Sequence, residues 1–584
     1  MKKLIFVLIG LFLIGCSEND ELNNTTNHVS HSEFAQNFGA LVSRDFIGQV
    51  VDVNNSPVVG ATVTIGISQA QTDENGVFIL NSAEVNERFA YITAKKAGFI
   101  DGSRAMVPST GKNKLKIMLL PATSIATISS GQTSEVVLPS GTKVVFDGRF
   151  QDSNGNNYSG NVNVSMFHLL PSDENISSLM PGMLYGKGED GEEKSLQTFG
   201  MLNVELRGES GQKLQLATGH KAKVEMEIDL EQLASAPATI PLWHFDDVYG
   251  YWIQEGQATK VGNVYKGEVS HFSWWNCDVF ESTINIQITI VDSNQLPISS
   301  ANVVLTTTSG ITGSGLTNED GQISGPIPIN QNIIIEIYDF CNNLIYSSTI
   351  GPFSTDTDIT ITIPTESQIS KNINGLLTDC NGQSVQNGYV MLTYDDQHLF
   401  SPVSNGEFNF QLITCPEANL FKIVGVDYSN LQYTGELTYT FSAENVKIGR
   451  IPACNSIDEF ISFSVNQQPP TILVSPFSNV WWYPNVGFDA DFIISKNQPN
   501  SGVPAFQMAL MDAFVIGTPT NKASLHAWYF NGNDTVMSGL QFGLNTPQIT
   551  VNKYDPLGGY VDFTFTATAG NGSTITGNGH VKRQ

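Results

Sequence analysis

The residues best suited to chemistry in this chain are two histidines that lie in aromatic-rich segments. His244 stands in PLWHFDDVYGYW and His271 in VSHFSWWNCD, so adjacent strands of one sheet can bring the two imidazoles together. A zinc ion there needs a third ligand, which Asp246, Asp247 or Cys277 would have to supply. None of the nine histidines lies in a His-Glu-x-x-His or His-x-x-Glu motif. We therefore favour histidines in the core or in turns and predict no metal site.

Motifs for covalent and acid–base catalysis are also missing from the sequence. No Gly-x-Ser-x-Gly motif supplies a nucleophile, and no glycine-rich phosphate loop opens a helix. The adjacent carboxylates Asp395 and Asp396 point to opposite faces of a strand, so they do not form an acid–base pair. We predict no catalytic residue and a protein that is not an enzyme.

One acidic segment has part of the pattern of a calcium loop. In DSNGNNYSG, Asp152, Asn154 and Asn156 alternate as at the start of an EF-hand loop. Asn157 replaces the glycine that this loop requires, and Asn163 replaces its closing glutamate. We predict a hairpin turn here. The acidic chain could bind calcium elsewhere, but the sequence assigns such a site to no residue. No cofactor is predicted.

Two aromatic clusters are candidates for contact with a ligand. Trp274 and Trp275 form the first cluster. Trp481, Trp482 and Tyr483 form the second cluster, directly before a proline, where a strand end or a loop is expected. Aromatic rings on a sheet can stack on sugar rings, which is one hypothesis for both clusters. For the first cluster the alternative, which we favour, is that its side chains fill the core of a large sandwich.

The N-terminus has the pattern of a bacterial export signal. Two lysines precede an apolar run over residues 4–14, which is too short to span a bilayer but fits a secretory signal peptide. The following LIGC at residues 13–16 resembles the bacterial lipobox, in which the cysteine becomes the mature N-terminus and carries lipid. This resemblance implies a lipoprotein signal peptide over residues 1–15 and membrane attachment through Cys16.

The residues behind Cys16 indicate the destination of the lipoprotein. Glu18, Asp20 and Glu21 resemble the acidic tag of lipoproteins that one group of Gram-negative bacteria exports to the cell surface. The resemblance implies an outer-membrane protein whose modules face outward. Acidic residues near an anionic lipid surface are also repelled by it, which keeps the attached segment extended.

Five cysteines remain once Cys16 carries lipid, so at least one is free or paired outside the chain. Three of them share one part of the sequence, where the oxidising compartment permits a disulfide. They are Cys380, Cys415 and Cys454. The sequence leaves all three pairings open, and the absence of a Cys-x-x-Cys spacing argues against metal binding by these thiols.

Composition excludes one class of partner. The 584 residues carry 29 Lys plus Arg against 56 Asp plus Glu, a net charge of −27. Phosphate backbones repel such a chain, so no nucleic-acid partner is predicted. Charged residues make up only 15% of the sequence, as in secreted proteins rich in Asn, Thr, Ser and Gly.

Short alternating segments dominate the chain from residue 45 onward. ATVTIGI, NVNVSMF, KVEMEIDL and YVDFTFTAT each place apolar residues on one face, which is typical of strands. Turn sequences such as DENG separate them at spacings of about ten residues. The pattern predicts an all-β chain of tandem antiparallel β-sandwiches with Greek-key connections. One short helix is expected over residues 33–42, where Phe34, Phe38 and Leu41 share a face.

Three segments of the chain repeat one layout of strand, turn and strand. In each, a strand ends at an aspartate and a valine follows eleven residues later: Asp52 and Val63, Asp292 and Val303, Asp379 and Val390. A glycine follows each aspartate after 24, 29 or 27 residues, at Gly76, Gly321 and Gly406. We expect the carboxylate to accept hydrogen bonds from the turn backbone and the glycine to take a positive φ.

This layout resembles the carboxypeptidase regulatory-like domain, a transthyretin-like β-sandwich of about seven strands. TDENGVF and ITAKKAGF carry the resemblance over residues 46–121, and it extends in outline to residues 284–365 and 372–453. The two later copies lack the Lys-Ala-Gly-Phe stretch. The resemblance implies sandwich modules without catalysis, because this domain accompanies zinc carboxypeptidases but carries none of their chemistry.

These boundaries divide the chain into seven segments. They are a signal peptide (1–15), a flexible tether (16–44), a carboxypeptidase regulatory-like sandwich (45–121), a larger aromatic-rich β domain (122–281), two sandwich repeats (282–366 and 367–456) and a C-terminal β domain (457–584).

The sequence thus favours a lipid-anchored envelope protein with a structural, adhesive or protein-interaction role. Its expected partners are the membrane, through Cys16, and an unidentified extracellular protein or glycan. The alternative is a carbohydrate-binding surface lipoprotein that serves a glycan-uptake system. Solvent-exposed tryptophans in the two aromatic clusters would distinguish this alternative.

Overall fold

The computed structural model describes most of the chain from residue 30 onward. The described residues are 30–364, 370–394, 397–414, 420–441, 444–456, 459–465, 471–474, 490–496, 505–511, 515–521, 523–528, 530–531, 534–535, 547–556, 559–568 and 574–582. Strands form nearly all the regular structure, so the predicted all-β class is confirmed. Within these ranges no helix has the length and apolarity to cross a membrane.

The described chain begins with a helical segment instead of the predicted helix over residues 33–42. An α-helix, His31–Phe34, continues into a 3-10 helix, Ala35–Phe38. Ser30 and Glu33 form a capping box at its start, in which each side chain accepts a hydrogen bond from the backbone of the other. Leu41 already belongs to the first strand.

This helical segment packs against the protein, although the sequence predicted a tether over residues 16–44. Phe34 and Phe38 are buried among Phe89, Tyr185 and Tyr251. Burial of two phenylalanines removes a large apolar area from water, which fixes the chain from residue 30 onward.

The first sandwich, residues 41–119, has the seven strands that the family resemblance implies. Three strands form one sheet, in the order Val77–Asn86, Leu41–Asp52 and Lys112–Leu119. The middle strand pairs antiparallel with the first and parallel with the last. Four strands form the opposite sheet, in the order Ser68–Gln71, Thr62–Ile65, Ala90–Lys95 and Gly102–Met106.

The second sandwich, residues 282–363, repeats this topology. Its first sheet has the order Gln322–Pro328, Trp274–Val291 and Thr357–Thr362, with the same antiparallel and parallel pairings. Its second sheet has the order Thr312–Leu316, Asn302–Thr307, Ile333–Tyr338 and Leu344–Ile350.

The third sandwich, residues 370–456, repeats it again with added short strands. Its first sheet has the order Glu407–Ile413, Ser370–Asp379 and Asn445–Ala453. Its second sheet has the order Gln397–Pro402, Gly388–Tyr394, Leu420–Asp427, Gln432–Tyr433 and Asn455–Ser456, and Leu437–Thr440 also pairs with Leu420–Asp427.

The turns that define the repeat form as the sequence predicts. In every copy the aspartate Oδ1 accepts two backbone hydrogen bonds of 2.8–2.9 Å, from the residues two and four positions on; the aspartates are Asp52, Asp292 and Asp379. The later glycines have φ of 71°, 70° and 80°, at Gly76, Gly321 and Gly406. The three valines are buried between the sheets.

The central domain, residues 126–281, lies between the first and second sandwiches in sequence. Its long sheet has the order Phe150–Asp152, Lys213–Leu216, Glu193–Gly208, Trp274–Val291, Thr239–Phe245, Trp252–Val261, Val264–Val269, Ala222–Glu227, Lys143–Phe146 and Ser134–Val137. Asn161–Leu169, Tyr185–Lys187 and Ala126–Ser129 pair beside this path, and a short helix spans Ile176–Leu179. Strand Trp274–Val291 runs without a break across the predicted boundary at residue 281 into the second sandwich.

The C-terminal domain, residues 460–582, ends in two strands, Tyr560–Thr568 and Thr574–Lys582, that pair antiparallel. Its main sheet has the order Thr471–Val474, Phe460–Val465, Thr574–Lys582, Tyr560–Thr568 and Gln548–Tyr554. Two smaller sheets contain Ala490–Lys496, Ala505–Met511 and Ala523–Trp528, and Phe530–Asn531 and Asp534–Thr535.

Candidate functional site

The fold brings His244, Glu255 and His271 together on one face of the central domain. His244 lies near the end of strand Thr239–Phe245, and Glu255 lies on strand Trp252–Val261, which pairs antiparallel with it. His271 lies in the connection that leads into strand Trp274–Val291. Strand Thr239–Phe245 lies between strands Trp252–Val261 and Trp274–Val291 and pairs with both. His244 is therefore held between Glu255 and His271.

The donor atoms of these three side chains point to a common position. Glu255 Oε2 is 3.6 Å from His244 Nε2 and 3.8 Å from His271 Nε2. One donor atom from each residue lies within 4.8 Å of the other two. The two imidazole rings meet edge to face, with centroids 4.7 Å apart and planes at 89°. Two imidazoles and one carboxylate form a set of ligands that suits zinc.

The surroundings of this cluster hold its side chains in place. The buried Trp275 indole packs against both imidazoles, with ring centroids 5.6 Å from His244 and 5.2 Å from His271. Its Nε1 donates a 2.9 Å hydrogen bond to the carbonyl of His271. The Ser270 hydroxyl donates to Glu255 Oε1 at 2.7 Å, which leaves Oε2 facing the histidines.

The cluster is buried on the side of His244 and open on the other side. The side chain of His244 is 15% exposed, against 34% for His271 and 43% for Glu255. Burial, followed by the neighbouring imidazole, lowers the pKa of His244 to about 4. The nearby His271 and Ser270 lower the pKa of Glu255 to about 2, so its carboxylate is ionised at neutral pH.

The third member of the cluster is Glu255, which the sequence did not single out. Of the three candidates that it offered, Asp246 accepts two backbone hydrogen bonds of 2.8 Å within its own turn. Burial raises the pKa of Asp247, and Cys277 is a free thiol buried in the domain core. A usable signal was present, because His244 and Glu255 lie on the two arms of one predictable hairpin.

The structure places the first aromatic cluster in the core. Trp274 and Trp275 are both buried, as are the neighbouring Trp243 and Trp252. The Trp243 indole donates to the carbonyl of Asp278 at 3.3 Å. All four side chains are at most 4% exposed. Trp481, Trp482 and Tyr483, like Cys16, lie outside the described residues.

The structure also assigns the cysteines. Cys380 and Cys454 form a disulfide that joins segments 74 residues apart in the third sandwich, with Cα atoms 4.9 Å apart. Cys341 is disulfide-bonded as well, and Cys277 is the free thiol described above. Cys415 lies outside the described residues.

The segment that resembled a calcium loop forms a hairpin turn, as expected. Asp152 Oδ1 accepts hydrogen bonds from the backbone N–H groups of Asn154 and Asn156, at 2.8 and 2.9 Å. The Asn156 side chain donates to the other carboxylate oxygen at 3.2 Å. The turn itself therefore satisfies this carboxylate, in the same way as in the three repeats.

A second notable site joins the first and third sandwiches, far apart in sequence. The hydroxyl groups of Tyr389 and Tyr428 donate to Asp73 Oδ2 at 2.5 and 3.0 Å. The Asn75 side chain donates to the Tyr389 hydroxyl at 3.0 Å. Asp73 Oδ1 accepts the backbone N–H groups of Asn75 and Val77, both at 2.9 Å. Burial raises the pKa of Asp73, and these hydrogen bonds oppose that shift.

Other contacts extend this packing between modules. Around the Asp73 site, apolar residues of the first and third sandwiches share one buried cluster: Ile47, Val77, Met391, Val426 and Leu431. Between the first and second sandwiches, Glu319 accepts the backbone N–H of Lys112 with both carboxylate oxygens, at 2.9 and 3.0 Å. The sandwiches therefore touch neighbours that do not follow them in sequence.

Comparisons with known proteins find one relative that matches a short part of the chain, and solved structures of low sequence identity. No protein-family model matches the chain. Human cartilage intermediate layer protein 2 is 27% identical over 146 residues, which are 25% of this chain and 12% of that protein. The chain thus spans only a small part of that relative's length.

Among solved structures, the similar ones include two pilins. The shaft pilin spaA from Lactobacillus rhamnosus GG is 10% identical, with 30% of this chain and 98% of that chain covered, at a TM-score of 0.17. BcpA, the major pilin subunit of Bacillus cereus, is 12% identical, with 55% and 99% covered, at a TM-score of 0.11.

Proposed function

We propose that this chain is a lipid-anchored protein of the bacterial outer membrane, whose sandwich modules face outward and serve adhesion or protein interaction without catalysis. The support for the anchor is the LIGC motif at residues 13–16, behind an apolar signal segment. The support for outward display is the run of acidic residues that follows Cys16.

The observation that carries the structural role is the buried contact between the first and third sandwiches. Asp73 accepts hydrogen bonds from two tyrosines of the other module, and apolar residues surround them. A hydrogen-bonded group in a buried interface resists separation, because loss of the two tyrosines would leave Asp73 Oδ2 without these donors. Modules locked in this way present a surface of fixed shape to a partner, as an adhesive or structural protein requires.

A comparison of three strains tests this proposal. One produces the native chain, one Cys16→Ala, and one Ser17→Ala, which is the matched control because it keeps the thiol that is lipidated. We expect mass spectrometry to find lipid on the N-terminal cysteine of the native and control proteins only. We also expect these two strains to sediment faster from suspension, and to stay on glass under flow longer, than the Cys16→Ala strain.

Two results would contradict the proposal. An N-terminal peptide without lipid in the native protein would remove the anchor. Equal sedimentation and equal retention of all three strains, at matched protein levels, would remove the adhesive role.

A further inference from the structure

The adhesive role makes no use of the cluster of His244, His271 and Glu255. Its two imidazoles and one carboxylate are groups that can bind a metal ion. His244 Nε2, His271 Nε2 and Glu255 Oε2 face one another at 3.6 and 3.8 Å along the two measured edges. Both distances exceed the length of a normal hydrogen bond. The carboxylate thus lies within contact distance of both imidazoles, and the three atoms surround a common point.

The spacing of these atoms matches a metal ion. Zinc binds imidazole nitrogen and carboxylate oxygen at about 2.0–2.2 Å, which places tetrahedral donors roughly 3.3–3.6 Å apart. The observed 3.6 Å is at the upper end of this range and 3.8 Å is slightly wider, and the third distance, between the two histidine nitrogens, is within 4.8 Å. Small rotations of the half-exposed Glu255 and His271 side chains close that difference, while His244, whose side chain is 15% exposed, stays fixed.

The surroundings have the form of an outer shell. Ser270 donates to the carboxylate oxygen that does not face the histidines, at 2.7 Å, and so orients Glu255. Trp275 packs against both imidazoles and binds the backbone of His271. His244 Nε2 is the nitrogen that faces Glu255, and its Nδ1 is buried without a hydrogen-bond partner among the described residues.

We propose that His244, Glu255 and His271 form a zinc-binding site on the surface of the central domain, with water in the fourth position. Two neutral imidazoles and one carboxylate leave the bound ion with a net charge of about +1, which the chain's charge of −27 favours. The open side, where His271 and Glu255 are exposed, gives room for the water and an entry path. The ion ties the hairpin of His244 and Glu255 to the connection that holds His271.

Zinc titration of the purified mature chain, without an affinity tag and stripped by a chelator, tests this site. We expect one zinc per chain by calorimetry and a rise in the thermal midpoint of the central domain. His271→Ala and Glu255→Gln change half-exposed side chains, so both variants are expected to fold. Each should weaken zinc binding by more than the roughly 10- to 100-fold that loss of an outer-shell partner costs. His244→Ala is not used, because its side chain is only 15% exposed.

Two further variants make the test specific. Ser270→Ala removes only the orienting hydrogen bond and should weaken binding by about 10-fold. His220→Ala is the matched control, since His220 is an exposed histidine of the same domain that pairs with Asp147 and should leave binding unchanged. Cobalt added in place of zinc should give the visible absorption of a tetrahedral site in the native chain and not in His271→Ala.

The proposal is independent of where the protein is displayed, because the titration uses the purified chain. It is overturned if the native chain binds no more zinc than the His271→Ala/Glu255→Gln double variant. It is equally overturned if zinc binds and the His271→Ala and Glu255→Gln variants bind it as tightly as the His220→Ala control.

Discussion

Replacement of Tyr389 by phenylalanine tests the contact between the first and third sandwiches. Phenylalanine keeps the buried ring and removes only the hydroxyl. That hydroxyl donates to Asp73 at 2.5 Å and accepts from the Asn75 side chain at 3.0 Å. After the change, Tyr428 is the tyrosine that still donates to the Asp73 carboxylate, at 3.0 Å.

The size of the effect follows from these two bonds. A hydrogen bond to a charged group contributes about 1.5–3 kcal/mol, and one between neutral groups about 0.5–1.5 kcal/mol. Because Tyr428 keeps part of the carboxylate satisfied, we expect the interface to lose about 2–3 kcal/mol. Exchange of amide hydrogens that requires this interface to open should then become roughly 30- to 150-fold faster, at tenfold per 1.4 kcal/mol.

The loss of stability in Tyr389→Phe should increase with pH. Burial raises the pKa of Asp73, so the folded protein holds this proton more tightly than the unfolded chain does. Stability therefore falls as pH rises from the unfolded pKa through the folded pKa. The Tyr389 hydrogen bond favours the ionised carboxylate, and without it the pKa rises further. The loss in Tyr389→Phe should be larger at pH 8 than at pH 5.

Hydrogen exchange followed by mass spectrometry is the suitable assay, because a multidomain chain has no single unfolding free energy. The amides of Asn75 and Val77, which donate to Asp73, report the opening directly. Tyr439→Phe is the matched control, since it removes a tyrosine hydroxyl of the same sandwich away from this contact. Equal exchange at Asn75 and Val77 in both variants would refute the reasoning.

Three further predictions concern stability within single modules. Burial lowers the pKa of His168 to about 4, so between pH 6.5 and 4 the unfolded chain binds a proton that the folded protein excludes. The central domain should lose up to about 3 kcal/mol as pH falls through this range. His168→Gln should flatten the dependence of its melting temperature on pH, and an unchanged slope would contradict this. The Cys380→Ser/Cys454→Ser variant removes a disulfide between residues 74 positions apart. It should destabilise the third sandwich by about 4 kcal/mol in calorimetry. An unchanged stability would exclude a stabilising role for this disulfide. Gly321→Ala should cost at least about 1–2 kcal/mol in urea unfolding, since φ is 70° and a Cβ would lie 2.4 Å from the Ile290 carbonyl. Gly325→Ala, whose Cβ meets nothing within 4 Å, is its control, and equal midpoints would contradict the argument.

The repeated sandwich could be predicted from the sequence because its signals are local. Asp52 and its two equivalents accept hydrogen bonds from residues two and four positions away, so a short window contains the whole turn. The prediction for Gly76 likewise depends on a single hairpin turn, in which the backbone takes a positive φ. Alternation of apolar residues then fixes which face of each strand is buried.

Contacts that depend on strand register or on other modules could not be predicted in this way. Asp73 and Tyr389 are 316 positions apart, and nothing near either residue indicates the other. Glu255 was missed because its place beside His244 depends on the register of a hairpin, which a motif search does not examine. Phe34 and Phe38 indicated a helical face, but the aromatic residues that bury them come from two other modules.

Protease shaving of intact producing cells tests the central claim, outward display from a lipid anchor, most directly. Native cells, Cys16→Ala cells and a periplasmic marker protein are treated together. We predict that protease removes the modules of the native chain from intact cells while the marker survives. Protection of the native modules until the outer membrane is breached would contradict the claim and place the protein in the periplasm.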